Sequence, residues 1–81
     1  MLRSPLEEFL EGELNDSIRE ELLSAMEQLE IGRCYFEYNT FNVLLDADAS
    51  AVTVEDELDV NRQSMLSFVE FKALLRPARE R

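Results

Sequence analysis

The chain contains no histidine, one cysteine, two glycines and two prolines among its 81 residues. Without histidine it lacks the side chain that usually serves as a general base near neutral pH. Zinc needs several cysteine or histidine ligands, and Cys34 stands alone. A single cysteine also excludes an internal disulfide, which suits a reducing compartment, and its place between Gly32 and a run of aromatics predicts a buried structural thiol. Gly12 and Gly32 are too far apart to build a phosphate-cradling loop. No apolar run approaches the length of about 20 residues that spans a membrane, and no apolar stretch follows Met1 to Pro5, so a cytosolic address is expected. Carboxylate pairs are plentiful, but so short a chain offers little concave surface in which to bury one and raise its pKa, so no enzyme activity and no cofactor are expected.

Basic residues are also scarce: 18 aspartates and glutamates face 8 lysines and arginines, for a net charge of −10. The magnitude exceeds the roughly 2–8 charges that keep a small domain soluble. Such an excess repels nucleic acid and anionic membranes and steers the chain towards a basic protein partner. With 46% hydrophobic residues there is enough apolar surface to offset the entropy of ordering, and residues 1–81 read as one folded domain.

The local signals predict an α+β fold in the order ααβββα, a short antiparallel meander with helices packed on one face. Ser4, Pro5 and Glu7 form a helix start with a capping box. Leu6, Phe9 and Leu10 share a face of that short helix, and Gly12 is expected to close it. Asn15, Asp16 and Ser17 can cap a second helix, in which Ile18, Leu22, Ala25, Met26 and Leu29 follow the helical period and Gly32 supplies the stop. From Arg33 to Asp56 the period becomes two, with turn chemistry at Asn39, Thr40 and Asp46 to Ser50, and three strands are expected there. Ser67 and Glu70 cap a last helix with Phe68, Phe71, Leu74 and Leu75 on its buried face and Pro77 past its end. The basic tail 76–81 is expected to fray. An exposed sheet edge and Cys34 allow a monomer or a weak dimer.

The acidic residues concentrate between Asp46 and Asp59. Asp46, Asp48, Glu55, Asp56, Glu57 and Asp59 occur there with no lysine or arginine between them. Like charges so close destabilise the free protein, so they point to a surface kept for a basic partner, although a simply solvated face is the common reason for a charge run. The expected partner-binding residues are Asp46, Asp48, Glu55, Glu57 and Asp59, with Tyr35 and Tyr38 as aromatic anchors. The two tyrosines also fit a role covering the sheet.

Calcium is the alternative use of these carboxylates. Asp46, Asp48, Ser50 and Glu57 fall on positions 1, 3, 5 and 12 of an EF-hand-like loop, and Asp59, Asn61, Gln63 and Glu70 repeat the offsets. However, Ala51 and Ser64 occupy the position where the turn demands glycine, and the two loops begin only 13 residues apart. The strand-forming run Val52, Thr53, Val54 lies where the second loop's entering helix belongs. No metal site is therefore expected.

Tyr35 to Tyr38, Val43 to Asp46, Val52 to Asp59 and Leu66 to Phe71 together resemble small acidic bacterial immunity proteins, particularly those paired with the toxins of contact-dependent growth inhibition systems. The likeness covers most of the chain and lies in size, acidity, a hairpin ending in an acidic run, and a capped helix after it. It implies tight stoichiometric binding to a toxin domain, often a nuclease, whose basic cleft suits an acidic inhibitor. A calcium-binding module and a non-inhibitory adaptor subunit are the other readings.

Overall fold

The structure is a computed structural model and describes residues 4–76, apart from the Val60 side chain. The elements follow the chain as α1 (Pro5–Glu8), a π-helical turn (Phe9–Glu13), α2 (Asp16–Gln28), β1 (Arg33–Tyr38), β2 (Phe41–Asp46), β3 (Ala51–Asp56), β4 (Asp59–Ser67) and α3 (Phe68–Leu75). All strand pairs are antiparallel and sequential, in the order β1-β2-β3-β4. The helices and the sheet bury a single core, so the α+β meander expected from the sequence is the observed fold. Pro77 and most of the expected frayed tail lie outside the described residues.

The helix starts form where the capping residues stand. Ser4 and Glu7 exchange side-chain and backbone hydrogen bonds of 3.2 Å, with Pro5 opening α1. The Asn15 side chain accepts from the Ile18 N–H at 2.8 Å, and Ser67 and Glu70 repeat the reciprocal box at α3. Neither glycine ends a helix in the expected way. Gly12 has no positive φ, and the chain instead widens until the Leu14 N–H donates to the Phe9 carbonyl at 2.9 Å, five residues back. The second helix ends at Gln28, and Gly32, at φ +83°, turns the chain into β1. There its carbonyl accepts from the Ala47 N–H at 2.8 Å, which holds the start of β1 against the β2–β3 turn.

The sheet has four strands where the alternation shows three. The additional strand, β4, pairs with β3 through Val52↔Leu66, Thr53↔Met65 and Val54↔Ser64. Its inward positions include Arg62 and Ser64, which are polar but satisfied. Arg62 pairs with Asp56 at 2.8 Å and Glu8 at 3.6 Å, and the Ser64 hydroxyl accepts from the Leu6 N–H at 3.2 Å. These bonds also tie α1 down onto the last strand.

The core consists of Phe9, Leu22, Met26, Phe41, Val43, Leu45, Val52, Val54, Phe71 and Leu75. Cys34, Phe36, Tyr38, Leu66 and Phe68 pack against it and are partly buried. Cys34 thus sits as a packed thiol on the helix-facing side of β1. Leu74 departs from its expected burial and is 47% exposed, because Phe71 and Leu75, four residues apart, carry the inward face of α3. Leu74 instead borders a shallow groove with Leu6, Met65, Leu66, Glu70 and Ala73. No helix among the described residues is long and apolar enough to cross a membrane.

Candidate protein-interaction face

Because side chains alternate along a strand, one side of the sheet carries the core, and among the described residues no helix packs over the other. The register assembles that open face into rows. Tyr35, Leu44, Thr53 and Met65 form a central row, one residue from each strand. Glu37, Asn42, Glu55 and Gln63 form the row on one side, and Arg33, Asp46, Ala51 and Ser67 the row on the other. With strands about 4.8 Å apart, each row is about 14 Å long. At the ends of the central row Tyr35 is 50% and Met65 69% exposed. An aromatic and a methionine flanked by carboxylates are the kind of residues that anchor protein interfaces.

Tyr35 and Glu55 are joined directly. The Tyr35 hydroxyl donates to Glu55 Oε1 at 2.9 Å, reaching from β1 to β3, and Asn42 Nδ2 donates to the same oxygen at 3.3 Å. The hydrogen bond to Glu55 raises the Tyr35 pKa, with smaller contributions from desolvation and the charges of Glu55, Glu37 and Glu57. Asn42 is 6% exposed, and its Oδ1 is buried without a donor. An unsatisfied buried acceptor costs about 1–3 kcal/mol.

The other expected binding residues are dispersed. Tyr38 lies on the opposite side of the sheet, its ring stacked on Phe36 at 6.0 Å and also 6.0 Å from Phe9. Its hydroxyl donates to Glu21 of α2 at 2.6 Å. Asp46 belongs to the open face, pairs with Arg33 at 3.6 Å and accepts from the Ala49 N–H at 3.2 Å. Asp48 sits in the β2–β3 turn and accepts from the Gly32 N–H at 3.2 Å. Glu57 and Asp59 lie at the other end of β3, about 17 Å away for a six-residue strand. The acidic run is therefore folded into two ends of the sheet, and Arg33 and Arg62 approach it from neighbouring strands.

The same folding separates the calcium-type ligand sets. Asp46 and Glu57 are held at opposite ends of β3, while Asp59, Asn61 and Gln63 run along β4. No group of three or more carboxylate, cysteine or histidine side chains among the described residues is placed to hold a metal ion.

Burial, followed by the hydrogen bond to Glu21 and its charge, pushes the Tyr38 pKa strongly upward. A raised folded-state pKa contributes stability that is complete below the unfolded value of 10.0 and is lost as pH rises through the folded one. The urea midpoint of the parent is therefore expected to fall more steeply between about pH 10 and 11 than that of Tyr38→Phe. Parallel pH profiles for the two proteins would contradict this linkage.

Glu37, Asn42, Leu44, Thr53, Gln63 and Met65 are not among the partner-binding residues expected from the sequence. Glu37 shares strand parity with Tyr35, a signal that was present. Gln63 and Met65 join the face only through β4. No protein-family model matches the chain, nor does any curated protein or solved structure. A functional reading consequently rests on this geometry, on the charge and on the resemblance described above.

Proposed function

We propose that this domain binds a basic protein surface through the open face of its sheet, as a cytosolic immunity protein that neutralises a bacterial toxin domain, with a nuclease as the toxin class. The observation that carries the reading is the central row, where exposed Tyr35 and Met65 lie next to the row of Glu37 and Glu55, on the side of the sheet opposite the core. The net charge of −10 adds long-range attraction towards the basic cleft a nuclease presents to phosphates. Anchors in the middle of the face contribute affinity, and the surrounding charges contribute association rate and partner choice.

The test purifies the secreted protein that the reading expects to be encoded beside this gene; a gene neighbourhood without one counts against the immunity reading. The nuclease activity of that protein is expected to vanish at one equivalent of the immunity domain, and a Tyr35→Ala, Met65→Ala variant should need a large excess. Full nuclease activity at every ratio would remove the immunity reading. Unchanged inhibition by the double variant would move the contact to another surface.

A further inference from the structure

We propose that Glu37, Asn42 and Glu55 form a socket for one arginine side chain of the protein partner, an inference that rests on the reading of the open face as the docking surface. The three residues stand side by side on β1, β2 and β3, with Asn42 in the middle. Asn42 decides the chemistry. It is 6% exposed, its Nδ2 donates to Glu55, and its Oδ1 has no donor. Most buried side-chain polar atoms in folded proteins are paired, so a sealed carbonyl between two carboxylates marks a place where a donor belongs. A guanidinium supplies five N–H donors in one plane, enough to meet a carboxylate on each side and the amide oxygen between them.

Arginine fits better than lysine for two reasons. The ammonium of lysine is a compact, strongly hydrated charge that is harder to strip of water, whereas guanidinium is weakly hydrated and flat. Tyr35 and Leu44 in the adjoining row also offer an aromatic ring and an apolar surface against which a planar cation and its stem can lie. In the free protein the socket is closed by the Tyr35 hydroxyl, which crosses β2 to reach Glu55. Half of Tyr35 is exposed, so its ring can swing outward at small cost. Glu55 then exchanges a neutral phenol donor for a charged one, which makes the stronger bond. The hydrogen bond to Glu55 is the main cause of the raised Tyr35 pKa, and the charges of Glu55, Glu37 and Glu57 add to it in the sense that would draw a cation in.

The experiment titrates isotope-labelled domain with a capped glycine pentapeptide carrying one central arginine, then with its lysine and citrulline counterparts, while NMR follows the side-chain amide of Asn42. The arginine peptide is expected to shift the Asn42 and Tyr35 signals saturably, the lysine peptide several-fold more weakly, and the citrulline peptide not at all. Asn42→Val, which keeps a strand-forming residue and removes the acceptor, should abolish the preference for arginine. Should that variant not fold, Glu55→Gln, which removes one of the two flanking carboxylates, should weaken the saturable arginine response several-fold, and an unweakened response would overturn the socket. Equal responses to arginine and lysine, spread over distant carboxylates such as Asp16 and Asp48, would overturn the socket. So would an undiminished arginine preference in the folded variant. The two proposals fail separately. A toxin that binds Asn42→Val as tightly as the parent removes the socket and leaves the immunity reading. A socket that titrates as described in a domain that inhibits no toxin leaves only the socket.

Discussion

Phe71→Ala is expected to remove about 3–5 kcal/mol of folding free energy, the range for emptying a buried aromatic site. Total stability scales at about 0.05–0.15 kcal/mol per residue, or roughly 4–12 kcal/mol for 81 residues, so this one change removes about a quarter or more of it. Phe71 is fully buried and sits on the inward face of α3 with Leu75, joining that helix to the sheet. The capping box one turn earlier fixes where the helix begins and thus which side chains it turns inward. Leu74→Ala on the same helix provides the contrast, because Leu74 is half exposed and should change stability by less than about 1 kcal/mol. Urea unfolding followed by circular dichroism measures both. Similar midpoints for the two variants would mean that α3 does not dock as described.

Glu37→Lys combined with Glu55→Lys is expected to slow association with the proposed basic partner by about 10–100-fold at low ionic strength. Each reversal adds two units, taking the net charge from −10 to −6. Asp48→Lys with Glu57→Lys makes the same net change at the two ends of the sheet, and therefore separates the position of a charge from its sum. If the open face is the docking surface, the end-of-sheet pair should slow association much less. Both effects should shrink in about 0.5 M salt, where the screening length falls to a few ångströms. Stopped-flow association rates read the difference. Equal slowing by the two pairs would attribute the effect to net charge alone and withdraw the face. Circular dichroism must accompany the first pair, since Glu55 accepts from Tyr35 and Asn42.

Several parts of this architecture were legible in the sequence because they depend on short-range chemistry. The caps at Ser4 and Ser67 lie where the spacing to Glu7 and Glu70 predicts them, and of the three candidates Asn15, Asp16 and Ser17 it is Asn15 that caps the second helix. The apolar alternation in β1 to β3 translates directly into a sheet with one buried side. The fourth strand was hidden by its inward polar residues. Arg62 and Ser64 interrupt the hydrophobic pattern, and their partners Asp56, Glu8 and Leu6 are supplied by other elements. Long-range pairing of this kind leaves no local trace.

The candidate site was partly legible for the same reason. Tyr35 and Tyr38 are an odd number of residues apart on one strand, so strand parity alone assigns them to opposite faces. The continuity of the acidic run was misleading, since residues adjacent in the chain are carried to opposite ends once β3 is laid out. Conversely, Glu37 and Glu55 are distant in sequence and meet in one row only through the β1–β2 and β2–β3 registers. Asn42 could not be recognised as an orphaned acceptor before its neighbours were known.

The alternation of the strands has an evolutionary consequence. Val43, Leu45, Val52 and Val54 point into the core, while Leu44, Thr53 and Glu55 between them point out, so two nearly independent sets of positions are interleaved on the same strands. Substitutions in the outward set can redirect recognition without asking the inward set to repack. Such a scaffold lets partner and binder diverge together, one surface residue at a time, while the fold beneath them stays constant.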